Sequence, residues 1–239
     1  MDPLAESIVD AHGGLERWNA FRHISADLTQ GGALWALKGR PNVLDRTRVF
    51  VDLKEQWASH SPFGNASRKS DYTPNRVALV ASDGEVLEAL DAPRASFAGH
   101  TLETPWTDLQ LAYFAGVAMW TYLNVPFLLA RPGVDSAEIE PWTEDGARWR
   151  RLSVRFPDDI ATHSAVQTLY VDDGGLIRRH DYDVEIAGST PGAHYVSDYQ
   201  EVEGIRFPTR RRIYPRQPDG RPLRDMLVVS IDLSGIELG

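Results

Sequence analysis

The chain has 239 residues, 42% hydrophobic and 25% charged, with 8 Tyr, 8 Phe and 7 Trp to fill a core and 19 Gly and 15 Pro to punctuate it. That composition excludes a disordered chain and a coiled coil. The absence of Cys excludes a disulfide framework, a Cys-ligated metal or iron–sulfur centre and a cysteine nucleophile, and a formal net charge of -9 opposes nucleic-acid binding, which needs a basic field.

Residues 1–11 carry Asp2, Glu6 and Asp10 and no basic segment followed by an apolar run, so they do not read as a secretory signal, and the chain is expected in the cytoplasm. Pro3 in a first turn, an apolar stripe of Ile8, Val9 and Ala11, and the stop His12-Gly13-Gly14 predict a helix. A second short helix follows over 15–21, with Leu15, Trp18 and Phe21 on one side. The pattern then turns to strands over 24–37, 44–53 and 55–60, and Asp83-Gly84 predicts a hairpin over 76–90.

Thr107 and Gln110 stand in capping-box spacing ahead of residues 109–130, a stretch without a charged residue. Its length approaches that of a membrane span, but Gln110, Asn124 and Pro126 interrupt it and no basic cluster flanks it. It reads as a core helix surrounded by protein, with no stable membrane insertion. Strands follow over 148–156, 163–171, 176–186, 194–202, 205–214 and 226–233, with tight turns at Asp173-Gly174-Gly175 and Glu203-Gly204 and a looser one over 188–192. No linker or repeat divides residues 1–239, which reads as one domain.

The order of elements, together with Gly204-Ile205-Arg206-Phe207-Pro208-Thr209-Arg210 after Asp198-Tyr199-Gln200-Glu201-Val202-Glu203, resembles the bacterial lipoprotein-localisation carriers and their LolA/LolB-like relatives, in an uncharacterised bacterial branch. The resemblance implies an α+β fold: an open antiparallel half-barrel wrapped around the central apolar helix, with helices at the N-terminus. It also implies a concave apolar face that holds a hydrophobic molecule. The chain is expected to depart from those carriers in having no secretory signal and in the polar residues on that face.

Alternation along strands places those residues. His180 and Tyr182 share one face of 176–186, and Arg179, Asp181, Asp183 and Glu185 share the other, which is expected to be wet. The inner faces of the next two strands carry His194, Val196, Asp198, Gln200 and Val202, then Ile205, Phe207, Thr209, Arg211 and Ile213. The Glu203-Gly204 turn sets Val202 opposite Ile205, Asp198 opposite Thr209 and Val196 opposite Arg211. Pairing Ile186 with His194 sets Tyr182 opposite Asp198 and His180 opposite Gln200, and the Asp173-Gly174 turn sets His180 opposite Gln167.

The expected patch is Gln167, His180, Tyr182, Asp198, Gln200, Thr209 and Arg211 on one wall. It suits acid/base chemistry without a cofactor, of lyase, isomerase or cyclase type. His180 would be the base, Asp198 its orienting partner, Tyr182 the acid and Arg211 the anion holder, with Gln167, Gln200 and Thr209 contacting the substrate. Trp106, Tyr113, Trp120 and Tyr122 of the central segment read first as core, with some of them lining the hydrophobic cavity, and Trp120, Tyr113 and Phe207 are its candidate walls. Read as structure, the same patch is a satisfied polar network in which Asp198 and Arg211 neutralise each other.

No metal is expected, because four strand positions, roughly 13 Å, separate His163 from His180 in this register. The glycine pairs lack the context of a phosphate loop. The alternative to an enzyme is a non-catalytic carrier of a lipid or hydrophobic small molecule, and a third reading is a protein-interaction module.

Overall fold

The computed structural model describes all residues, Met1–Gly239. Asp2 caps α1 (Pro3–Ala11), its carboxylate accepting from the Leu4 amide at 2.8 Å. This helix buries Leu4, Ala5, Ile8 and Val9, and α2 (Leu15–Asn19) buries Trp18. The expected strand over 24–37 is two elements, β1 (His23–Gly31) and a helical turn α3 (Leu34–Leu37). The glycine pair at 31–32 ends the strand before Trp35, whose indole nitrogen donates back to the Gly31 carbonyl. Then come β2 (Arg46–Asp52), β3 (Ala58–Ser61), β4 (Arg68–Thr73), β5 (Arg76–Ala81) and β6 (Val86–Asp91). The 76–90 hairpin forms as expected, while β4, rich in charged and small side chains, carries no clear strand signal.

The 109–130 stretch is α4 (Asp108–Leu128). Its capping box closes: Thr107 Oγ1 accepts from the Gln110 amide at 3.2 Å, and Gln110 Oε1 accepts from the Thr107 amide at 2.9 Å. Every residue from Gln110 to Leu128 is buried, so this helix is apolar all round because protein surrounds it. The second half of the chain adds β7 (Asp135–Glu144), β8 (Ala147–Arg155), β9 (Val166–Val171), β10 (Ile177–Val184), β11 (Thr190–Val202), β12 (Ile205–Pro215) and β13 (Val229–Leu238).

All thirteen strands form one antiparallel sheet in the order β6-β5-β4-β3-β2-β1-β13-β12-β11-β10-β9-β8-β7. Two meanders meet where β1 pairs with β13, and β6 and β7 are left as free edges. The sheet is therefore an open half-barrel, curled around α4, which links its two edges in sequence. Contact is closest at Gly116, where an added Cβ would lie 2.2 Å from the ring of buried Tyr72 on β4. Gly116→Ala is expected to destabilise the protein by about 1–3 kcal/mol despite alanine's better helix propensity, since neither a packed helix nor a buried ring can retreat; a denaturant midpoint equal to or above wild type would contradict this.

Of the face expected to be wet, Asp183 and Glu185 are half-exposed, but Arg179 and Asp181 are buried. Segment 216–228, between β12 and β13, folds over them, and the Arg179 side chain has 0% exposure. Its guanidinium donates from Nε and Nη2 to both oxygens of Asp181 at 2.7 Å and from Nη1 to Glu144 at 2.9 Å. A further bond reaches the Gly220 carbonyl of the covering segment, and the Tyr170 ring lies 4.6 Å away. Arg224 of the same segment donates to Glu144 at 2.7 Å. This network ties the cover to the sheet.

Candidate functional site

Between α4 and the inner faces of β10–β13 lies an apolar cavity of about 130 Å³, with 20 hydrophobic residues among the 25 that line it. Phe114, Ala115, Ala118, Met119 and Tyr122 supply the α4 wall, at the spacing of one helical face. Ile213, Val229 and Ile231 face them, and Trp35, Leu102 and Trp106 close one side. Half-exposed Leu37 and Met226 mark the open end. A dry cavity of roughly 150 Å³ holds a benzene-sized guest, so this space fits a small apolar molecule or a short acyl chain.

The polar elements of the lining include the phenol pair Tyr122 and Tyr182, whose hydroxyls are hydrogen-bonded to each other. His163 Nε2 lies 3.2 Å from the Tyr122 hydroxyl and His194 Nδ1 lies 3.5 Å from that of Tyr182. His180 Nε2 contacts Gln167 Oε1 at 2.5 Å. Arg211 sits behind the Tyr122 ring, 5.3 Å from its centre, and donates to the Tyr122 carbonyl at 3.1 Å.

Burial makes the histidines and tyrosines of this cluster neutral. Desolvation pushes His163 and His180 down to about 3, and His194 goes well below its ordinary value, with the charge of Arg211 adding to the effect on His180 and His194. The Tyr122 and Tyr182 phenols are pushed up for the same reason.

Of the residues expected on this wall, the structure brings together His180, Tyr182, Gln167 and Arg211 but not Asp198. The expected β11–β12 register is observed, with Val202 opposite Ile205 and Val196 opposite Arg211. Asp198, however, has φ 55°, a left-handed conformation that breaks the alternation of the strand. Its carboxylate is 62% exposed and lies 3.8 Å from Arg210, and Tyr199 turns inward in its place, donating to the Ile177 carbonyl. Asp198 therefore neither orients His180 nor neutralises Arg211. Gln200 is exposed, and the Thr209 hydroxyl is spent on the Asp198 carbonyl.

The β10–β11 register differs from the expectation by six residues. A 3₁₀ turn at Glu185–Ala187, followed by left-handed Gly188 and Ser189, starts β11 at Thr190. His180 consequently faces His194, and Tyr182 faces Gly192. On the other side a bulge at Arg178 sets His180 opposite Leu169, and Gln167 reaches it diagonally. His163 is not in a strand. Its loop pairs with the end of β10, so its ring and that of His180 come to 4.8 and 5.2 Å from the Tyr182 ring. The three histidines thus converge more closely than the sequence register allows, although no set of His, Asp and Glu side chains has the geometry to hold a metal ion.

The three expected aromatic walls lie elsewhere. Trp120 points to the opposite side of α4 and donates to the Asp52 and Glu55 carbonyls at 3.0 and 2.9 Å. Tyr113 lines a separate cleft beside Arg94, and Phe207 packs in the core near Trp18. Tyr122, His163 and His194 are the members of the cluster that the expected site lacks. The signal for Tyr122 was its place in the register of Ala115 and Ala118 along α4.

No protein-family model matches the chain, and no curated protein matches it in sequence. Among solved structures it is similar to a DUF1329 family protein from Desulfovibrio piger, with 11% identity, a TM-score of 0.55 and coverage of 100% of this chain and 94% of that one. It is also similar to a LolA superfamily protein from Nitrosomonas europaea, at 12% identity, TM-score 0.51 and 98% and 93% coverage. A domain from Vibrio parahaemolyticus assigned to outer membrane lipoprotein sorting matches at 11% identity, TM-score 0.51 and the same coverage, 98% and 93%. The fold is thus the LolA-like half-barrel that the sequence resembles.

Proposed function

We propose that this LolA-like half-barrel binds a small hydrophobic or amphipathic molecule between α4 and β10–β13 and carries it without transforming it. The observation that supports the reading is the cavity itself: apolar on nearly every wall, open beside Leu37 and Met226, and with the hydrogen-bonded pair Tyr122 and Tyr182 in its lining. The assignment of the Vibrio domain to lipoprotein sorting points the same way, though about 130 Å³ accommodates far less than a lipoprotein's acyl chains.

Acid/base catalysis is the less favoured reading. A general base works best with a pKa near the operating pH, whereas His180 is held at about 3 and the Tyr182 phenol is raised. With Asp198 outside, His180 also lacks an orienting carboxylate. We place the carrier in the cytoplasm; its recovery from a periplasmic fraction would move it to the envelope without altering the cavity.

Calorimetric titration with hexan-1-ol tests the binding reading. Wild type is expected to bind one equivalent. Ala118→Phe, which fills the cavity from α4, and Val229→Phe, which fills it from β13, are each expected to weaken binding at least tenfold while circular dichroism stays unchanged. Equal affinity in wild type and a folded cavity-filling variant would reject the cavity as the site.

A further inference from the structure

Arg211 is an exception among the arginines around it. Arg178, Arg179, Arg212 and Arg216, on or next to the same three strands, each end on a carboxylate: Asp172, Asp181, Asp232 and Asp183. Arg211 is 3% exposed, and no carboxylate reaches it. Its hydrogen bond from Nη2 goes to the Tyr122 carbonyl, while Nε is buried without a partner. A guanidinium stays charged in a protein, and burying it without an opposite charge or a full set of acceptors is costly.

The charge stands next to the cavity. Arg211 pairs across the strands with Ile231 and lies two residues from Ile213 on the same inner face, and both isoleucines line the cavity. Between the guanidinium and the open space is the Tyr122 ring. The neighbouring titratable groups, His180, His194, Tyr122 and Tyr182, are kept neutral by burial, so none offsets the charge.

Resting on the binding reading above, we propose that the ligand is an amphipathic carboxylate, its apolar part against Ala118, Val229 and Ile231 and its carboxylate at the Tyr122–Tyr182 hydroxyls, in the field of Arg211 from behind the Tyr122 ring. The hydrogen-bond pattern suits an acceptor there. His163 Nδ1 and His194 Nε2 have no partner, which assigns the single ring protons to Nε2 of His163 and Nδ1 of His194, leaving no imidazole donor unpaired. Those two N–H groups then donate to the phenol oxygens of Tyr122 and Tyr182. Both phenol protons are thereby directed to acceptors, one of them now the partner phenol, and a carboxylate set against the two hydroxyls accepts from both once it has replaced that phenol–phenol bond. The field of Arg211 favours that oxygen pair when it carries a negative charge.

The test is calorimetric titration at pH 7.5 with hexanoate and with hexanamide, its neutral counterpart, against wild type, Arg211→Met and Arg211→Lys. Wild type is expected to bind hexanoate at least tenfold more tightly than hexanamide. Arg211→Met is expected to lose that preference while keeping its affinity for hexanamide, and Arg211→Lys to keep part of the preference. Without ligand, Arg211→Met is expected to melt at or above the wild-type temperature, because it removes an uncompensated buried charge.

Equal wild-type affinities for the two probes, or a preference that survives in Arg211→Met, would overturn the proposal. So would an anion site that belongs to a free inorganic ion, seen as sodium chloride raising the melting temperature of wild type but not of Arg211→Met and abolishing the hexanoate preference. Failure of hexanamide and hexan-1-ol alike to bind would reject the binding reading itself.

Discussion

Acidification from pH 7.5 to pH 5 is expected to remove most of the stability of this protein. His12, His60, His163, His180 and His194 are each no more than 3% exposed. Desolvation holds the first two at about 4, the next two at about 3, and His194 well below its ordinary value. In the unfolded chain each titrates near 6.5. As pH falls through that value the unfolded state takes up protons that the folded state refuses, so stability drops with falling pH and continues to drop until the folded values are reached. At pH 5 each of the first four costs about 2 kcal/mol and together they cost on the order of 8 kcal/mol, comparable with the whole stability of a typical domain, with His194 adding in the same direction. An acid-unfolding midpoint between pH 5 and 6, followed by tryptophan fluorescence, is the expected result. A protein that stays folded down to pH 4 would mean that these histidines are not buried as described.

Replacing Arg179 by alanine is expected to cost about 3–5 kcal/mol, the loss typical of breaking a buried ion pair and leaving its partner unmatched. The partners here are Asp181 and Glu144, whose side chains are 1% and 3% exposed. The same change releases the Gly220 carbonyl, and with it the segment that carries Met226 and Val228 to the cavity. Arg179→Lys recovers only part of the loss, because one ammonium cannot serve the two Asp181 oxygens, Glu144 and Gly220 as the planar fork does. Denaturant melts of both variants measure these effects. A loss below about 1 kcal/mol for Arg179→Ala, within the range of an exposed ion pair, would contradict a buried network.

The features legible in the sequence are those set by a few adjacent residues. Thr107 and Gln110 announce the start of α4, Glu203-Gly204 fixes the β11–β12 register, and the period of two puts His180 with Tyr182 and Arg211 with Ile213 on inner faces. Register failed where a connection had no such signature. The 3₁₀ turn at Glu185–Ala187 and the left-handed Ser189 after Gly188 shorten the loop before β11, and that slip exchanges Asp198 for Gly192 opposite Tyr182. The left-handed backbone at Asp198 inverts one side chain without any glycine to mark it.

Long-range covering was equally hidden. Arg179 and Asp181 look like a wet face until segment 216–228 is laid over them. Tyr122 could not be told apart from Tyr113 and Trp120 as a cavity wall, because a helix buried all round has no polar stripe from which to read its orientation. Which α4 residues meet the cavity is decided by the sheet around it.

The central claim is that the space between α4 and β10–β13 is a ligand site, and a crystal structure of the protein soaked in 6-bromohexan-1-ol tests it most directly. One bromine anomalous peak is expected inside the cavity, toward the open end at Leu37 and Met226, with the alcohol oxygen at the Tyr122 and Tyr182 hydroxyls and no such peak in Ala118→Phe. Bromine found only on the outer surface, or at the same place in wild type and Ala118→Phe, would contradict it.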